Sequence, residues 1–193
     1  PATAQWRFNG SDLTAETNTA LTLAAASPAS AGNYDVVLSN SAGSTTSTVA
    51  VLTVRLLDLG DAPDPSYPTL KPSNGARHVI VPGVYLGAGV DMELDAHPNA
   101  TATGDDLDGA DDEDGVNFLT PLRAGQPATV EVVASTNGFL NAWIDFNGSG
   151  GWAQAGEQVF TNVALVAGTN TLTLLVSPAA NPGATFARFR FNT

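Results

Sequence analysis

The residues best suited to chemistry are concentrated in one short acidic stretch, Gly104 to Asp114. Seven of its eleven side chains are carboxylates, and no lysine or arginine lies among them. Carboxylates this close repel one another unless water or a cation separates their charges. Hard oxygen donors in a loop that contains glycine are the ligands that Ca²⁺ prefers. The stretch therefore predicts calcium binding, with a solvated acidic linker as the alternative. Its predicted ligands are Asp105, Asp106, Asp108, Asp111, Asp112, Glu113 and Asp114.

A second acidic motif runs from Asp145 to Gly150. It has oxygen-bearing side chains at its first, third and fifth positions and glycine at its sixth, which is the first half of a calcium loop of the EF-hand type. Glu157 supplies an acid one position later than that loop type requires, and no helical pattern flanks the motif. The motif predicts a calcium site on a β-scaffold, with an ion-free hairpin as the alternative. Its predicted ligands are Asp145, Asn147, Ser149, the backbone carbonyl of Gly151, and Glu157.

Further carboxylates recur at regular spacing before the acidic stretch. Asp58, Asp61 and Asp64 lie three residues apart in a proline-rich segment, and Asp91 and Glu93 lie two apart. Residues two apart in an extended segment point the same way, so the second pair would line one face. We predict Asp61, Asp91 and Glu93 as additional calcium ligands. Ordinary linkers have the same composition as the proline-rich segment, and that interpretation is the alternative.

Four aromatic side chains lie near these acidic or turn segments: Trp143, Trp152, Tyr67 and Tyr85. An exposed aromatic ring can stack on a sugar ring, so these residues are candidate ligand-binding positions. Packing against the neighbouring loops is the alternative role.

Composition excludes several functions. The formal net charge of −12 argues against binding to nucleic acid or to anionic lipid, and no apolar run is long enough to insert into a membrane. The chain has no cysteine, which excludes disulfides and thiolate sites. Motifs for nucleophilic, zinc or phosphate chemistry are absent from the sequence. We therefore predict that the protein is not an enzyme, and a glycoside hydrolase using two carboxylates is the least favoured alternative.

Alternating apolar and polar residues with frequent turns predict an all-β protein of two domains, 1–55 and 56–193. The first domain resembles the second half, strands C to G, of an immunoglobulin-like sandwich. Trp6 stands at the position of the core tryptophan, and Tyr34 at that of the tyrosine corner. Val36 replaces the second cysteine of that family, so the inter-sheet disulfide is missing.

Residues 57–193 resemble the GEVED domain of bacterial secreted and surface proteins. The stretches that carry the resemblance, in chain order, are 58–64, 75–78, 86–93, 104–116, 142–147, 155–158 and 187–190. The resemblance implies an antiparallel, jelly-roll-like β-sandwich module with long calcium-binding loops, located outside the bacterial cell beside other domains of a longer chain.

From this resemblance and the acidic motifs together, we expect a non-catalytic, calcium-stabilised module that serves binding or adhesion. Its expected partners are a glycan or another extracellular protein. A carbohydrate-binding accessory module of a secreted polysaccharide-degrading enzyme or protease is the alternative.

Overall fold

The computed structural model describes residues 1–104 and 114–193, and it is an all-β structure of antiparallel sheets. The predicted ligands from Asp105 to Glu113 lie outside the described residues. The chain divides into two compact units, Pro1–Leu56 and Leu57–Thr193.

The first unit is a single antiparallel sheet with one 3₁₀ turn at Pro28–Ser30. Its strand order is β2-β1-β3-β4, and β5 also pairs with β3. The strands are β1 (Thr3–Phe8), β2 (Ser11–Asp12), β3 (Gly32–Asn40), β4 (Gly43–Thr46) and β5 (Ala50–Leu52).

Tyr34 anchors this first sheet. Its ring is buried beside Phe8, with 5.0 Å between ring centroids, and its hydroxyl donates to the backbone oxygen of Ser30 at 2.8 Å. Trp6 lies opposite Val36 in the pairing of β1 with β3 and is partly exposed. These contacts are compatible with the immunoglobulin-like interpretation, which stays a prediction.

The alternating residues of 45–54 indicate one strand, but the structure has two shorter ones here, β4 and β5. Ser47 lies between them, and its side chain bonds to backbone groups. Its hydroxyl accepts from the Val36 amide at 3.1 Å and donates to the Thr48 carbonyl at 2.9 Å. A serine side chain that bonds to the backbone in this way competes with regular pairing. The alternation of residue types does not reveal such competition.

The second unit contains two three-stranded sheets, β11-β10-β13 and β12-β9-β8, and a two-stranded ribbon, β6-β7. Its strands are β6 (Leu57–Leu59), β7 (Arg77–Val79), β8 (Val116–Phe118), β9 (Pro127–Ala134), β10 (Gly138–Ile144), β11 (Gln158–Leu165), β12 (Gly168–Leu175) and β13 (Ala187–Asn192).

The core of this unit is formed by the inner faces of the two larger sheets. Alternate residues of β9 and of β10 are buried, and they pack with apolar side chains of β11, β12 and β13. Burial of apolar surface is the main favourable term in folding, so this period-two pattern sets which face of each strand points inward. The all-β, sandwich-like architecture predicted from the sequence is confirmed. The fully buried members are Val130, Val132, Leu140, Ala142 and Ile144.

Strand β10 ends at Ile144, although the apolar pattern of the sequence continues to Phe146. The Asp145 amide donates to the Phe186 carbonyl at 3.1 Å, and the Phe146 carbonyl accepts from the Asn181 amide at 2.7 Å. These bonds lead the chain away from the sheet and into the loop that holds the second acidic motif. Strand alternation would place Trp143 and Asp145 on the same face, but after this change in direction Asp145 is buried whereas Trp143 is partly exposed.

Candidate functional site

The loop between β10 and β11, residues 145–157, has an acid at each end. Because β10 and β11 are antiparallel neighbours, with Trp143 opposite Gln158, the two ends of the loop meet. The Ile144 amide donates to the Glu157 carbonyl at 2.8 Å and closes the base of the loop. The hairpin therefore brings Asp145 and Glu157 together although twelve positions separate them in the sequence. We call residues 145–157 the acidic hairpin loop.

Asp145 is fully buried and accepts three hydrogen bonds. Its Oδ2 accepts from the Tyr67 hydroxyl at 2.7 Å and from the Gly150 amide at 2.8 Å, and its Oδ1 accepts from the Ser149 amide at 3.1 Å. Burial alone would raise the pKa of this carboxyl, but the hydrogen bonds outweigh burial and lower the pKa to about 2. Burial and the Asp145 carboxylate raise the pKa of Tyr67 to about 12, so its hydroxyl stays a donor.

Glu157 is the second acid of the loop and is only 2% exposed. Its Oε2 accepts from the Gln154 amide at 3.0 Å. Its Oε1 is buried and has no hydrogen-bond partner among the described residues. Burial raises the pKa of Glu157, and the nearby Asp145 carboxylate raises it further. A buried carboxylate oxygen without a donor is costly, and a cation between the two acids would satisfy it.

The remaining predicted ligands of this motif shape the loop. Asn147 Oδ1 accepts from the Ser149 amide at 2.9 Å, while Asn147 Nδ2 donates to Gln154 at 2.5 Å. Gly150 has a φ of +85°, and an added Cβ would lie 3.3 Å from Ser66, so this position favours glycine. Ser149 is exposed at the tip, and Gly151 is partly buried.

A calcium ion in the acidic hairpin loop would need neutral donors. No group of three or more His, Cys, Asp or Glu side chains that could hold a metal is found in 1–104 and 114–193. Two carboxylates supplemented by amide, hydroxyl and main-chain oxygens are a donor set that Ca²⁺ accepts. Asp145 and Glu157 would be the two charged ligands, and the buried Oε1 of Glu157, which has no partner among the described residues, is an oxygen free for the ion.

Three of the predicted ligands, together with Asp58, line a cavity of about 340 Å³. Asp58 and Asp61 line it from one segment, and Asp91 and Glu93 from another segment that begins thirty residues after Asp61. Glu93 Oε2 accepts from the Leu59 amide at 2.5 Å, and the Glu93 amide donates to the Leu57 carbonyl at 3.1 Å, which fastens this segment beside β6. These acids line one cavity, but no three acids of the described ranges form a group that could hold a metal ion, so calcium binding by them stays a prediction.

Three other acids near these clusters have structural partners. Asp95 accepts from the Lys71 amide at 2.8 Å and Asp114 from the Ala88 amide at 3.1 Å. Asp64 accepts from the amides of Thr69 and Leu70, and a hydrogen bond from Ser73 lowers its pKa. Of these three, Asp114 was predicted as a calcium ligand; it contacts the Gly87–Ala88 turn and is not among the residues that line the cavity.

The four candidate aromatic residues have different environments. Tyr67 is buried, and its ring packs on Trp152 and Phe186 at centroid distances of 4.8 and 4.9 Å. It supports the acidic hairpin loop and offers no free ring face in this arrangement. Tyr85 is partly buried in the wall of the 340 Å³ cavity. Trp143 and Trp152 line a second depression together with two arginines that the sequence analysis did not single out.

Arg188 and Arg190 could have been found from their pattern. They are two residues apart in the last strand, opposite in parity to the inward-facing Phe189 and Phe191. Two cations on one strand face are unusual in a chain of net charge −12 and indicate a local basic site. The overall composition does not reveal this site because the many acidic residues outweigh it.

The contact between Arg190 and His78 predicts a pH effect on stability. Arg190 Nε donates to His78 Nε2 at 3.2 Å, so the imidazole is neutral there. Burial lowers the pKa of His78, and Arg190 lowers it further. Because the unfolded chain then binds more protons, this contact should lose stability as the pH falls through the ordinary histidine value of about 6.5. Melting temperatures of the protein and of His78→Gln at pH 7.5 and 5.5 should show a smaller deficit for the variant at the lower pH. A deficit that is equal at both values would contradict the assignment.

Comparisons with protein-family models, with curated proteins and with solved structures each found no match for this chain. The GEVED and immunoglobulin-like resemblances therefore stay predictions carried by their motifs. In the described ranges no helix has the length and apolar character needed to cross a bilayer.

Proposed function

We propose that residues 57–193 form a non-catalytic, calcium-stabilised module of a larger bacterial secreted or surface protein, in which it serves binding or adhesion. The observation that carries the proposal is the pair of buried acids in the acidic hairpin loop. Asp145 accepts three hydrogen bonds, only one of them at Oδ1, whereas Glu157 Oε1 accepts none among the described residues. Two adjacent carboxylates of this kind repel each other, and a divalent cation would convert the repulsion into attraction.

An extracellular location agrees with this chemistry. Calcium sites in extracellular modules are weak, with dissociation constants of about 10⁻⁴ to 10⁻³ M, and they are filled only where calcium is millimolar. The loop offers two charged ligands and otherwise neutral oxygens, which favours an affinity in that range. The bacterial and secreted assignment itself comes from the GEVED resemblance.

The same pair of acids could alternatively be the two catalytic carboxyl groups of a hydrolase. A carboxyl of low pKa beside one of raised pKa is the arrangement that glycosidases use. Here, however, Asp145 and Glu157 line neither the 340 Å³ cavity nor the depression beside Trp143, so these two surfaces give a substrate no route to them. A role as metal ligands is favoured for this reason.

Thermal melting with and without calcium tests the proposal. The protein in 10 mM calcium should melt about 8 °C higher than in excess chelator, because binding to the folded state alone adds about 2 kcal/mol at such a ratio of calcium to dissociation constant. Magnesium at the same concentration serves as a control and should give a smaller shift, since Mg²⁺ demands rigid octahedral geometry. Equal melting temperatures in calcium and in chelator would refute a calcium-stabilised module.

A carbohydrate-binding accessory role is the second candidate. The observation in its favour is that Trp143 lines the second depression, because a tryptophan ring on an outer sheet face suits the apolar face of a sugar. Binding of any oligosaccharide that is lost in Trp143→Ala would support this role.

A further inference from the structure

The depression beside Trp143 is a groove of about 290 Å³ on the outer side of the β10–β13 pair. It is lined by Trp143, Trp152, Ala153, Arg188 and Arg190. Trp143 lies directly opposite Arg188 in the pairing of β10 with β13. Because their neighbours Ala142 and Ile144 are buried in the core, alternation directs Trp143 away from the core. We call this depression the Trp–Arg groove.

Neither arginine of the Trp–Arg groove forms an ion pair in the described part of the chain, although Arg188 also lines the 340 Å³ cavity that is walled by carboxylates. The ion pair found there, Arg7 with Asp35, belongs to the first unit. Arg190 contacts neutral His78, and Arg188 lies over the Trp152 ring, 4.0 Å from its centroid. Burial lowers the pKa of Arg188, and the charge of Arg190 lowers it further. Two neighbouring cations that repel each other would be stabilised by an anion placed between them.

Trp152 holds Arg188 in position and is not itself available for stacking. Its ring is packed between Tyr67, at 4.8 Å between centroids, and the Arg188 guanidinium. Its Nε1 donates to the Phe186 carbonyl at 3.2 Å. An arginine held on an aromatic face loses less freedom when it binds a ligand. Trp143 makes no aromatic or cation–π contact with the described residues, so its ring is the one that a ligand can cover.

We propose that the Trp–Arg groove binds a sugar that carries a carboxylate, that is, a glycan of the uronic-acid class. The apolar face of the sugar ring packs on Trp143, and its carboxylate is held by Arg188 and Arg190. A uronic acid presents both features on one rigid ring, whereas a neutral sugar leaves the arginines unpaired and an acidic peptide leaves Trp143 without a ring face. The inference rests on the carbohydrate-binding alternative given above and specifies its ligand.

Isothermal titration of the full chain in calcium tests this assignment with three probes: trigalacturonic acid, the neutral trisaccharide galactotriose, and triglutamate. Trigalacturonic acid should bind and quench tryptophan fluorescence, while the other two should bind at least about tenfold more weakly, since a charged hydrogen bond contributes about that factor. Arg188→Gln and Arg190→Gln should each weaken binding of the uronate by about tenfold, and Trp143→Ala by at least as much. Arg123→Gln, at an exposed arginine outside the groove, is the matched control and should bind as the parent does.

The outcomes separate this inference from the carbohydrate-binding role. Equal affinity for the uronate and galactotriose, unaffected by the arginine variants, would overturn the acidic specificity and leave the carbohydrate role standing. No binding of either saccharide would overturn both. Equal affinity for triglutamate would show that a carboxylate suffices and would overturn the sugar assignment. Melting curves of each variant establish that a loss of binding is not a loss of fold.

Discussion

Asp145→Ala should destabilise the second unit by about 3 kcal/mol even in chelator. The substitution removes the acceptor of three hydrogen bonds, from Tyr67 and from the amides of Ser149 and Gly150. Leaving a buried donor unsatisfied costs about 1 to 3 kcal/mol, and the Tyr67 hydroxyl is buried under Trp152 and Phe186. Chemical denaturation followed by tryptophan fluorescence measures this loss. In calcium the deficit should grow further, because the variant also lacks a ligand.

A double-mutant cycle with Tyr67→Phe isolates the central contact of the acidic hairpin loop. Tyr67→Phe removes the donor while keeping the ring against Trp152. If the 2.7 Å bond to Asp145 is what couples them, the two substitutions together should cost about 2 kcal/mol less than their sum. Additive effects would mean that Asp145 acts through the backbone amides alone.

Glu157→Gln should raise stability in chelator and abolish the response to calcium. Without an ion, the buried Glu157 carboxylate faces Asp145, and an amide at this position removes the repulsion and supplies a donor. We expect a gain of about 2 kcal/mol in chelator. In 10 mM calcium the parent gains about as much from the ion and the variant gains nothing, so the two should then have nearly equal stability.

Glu131→Gln is the matched control for this experiment. The change in charge and shape is identical, but Glu131 is a partly exposed residue of β9, outside the acidic hairpin loop. It should leave both the stability in chelator and the calcium shift nearly unchanged. If Glu157→Gln lowers stability in chelator, or if calcium stabilises it as much as it stabilises the parent, then Glu157 is not a calcium ligand.

The acidic hairpin loop shows which parts of the candidate site can be predicted from local sequence and which cannot. Its oxygen-bearing residues and glycines lie in one motif, and strand periodicity on both sides of it predicts a hairpin. From these features the pairing of Asp145 with Glu157 could be inferred. The role of Tyr67 could not, because this residue precedes Asp145 by 78 positions and reaches it through packing on Trp152 and Phe186. Contacts at such separations are decided by how the loops close over the sheets.

The sequence by itself determined the all-β class, the inward face of each long strand and the concentration of carboxylates, since these depend on residue type and a period of two. Only the tertiary structure decided which charges are satisfied. It gave Asp145 three donors and left Glu157 Oε1 with none in the described residues. It also set Arg188 on Trp152 beside Trp143. Burial and hydrogen bonding are properties of neighbours in space, and these neighbours come from distant parts of the chain.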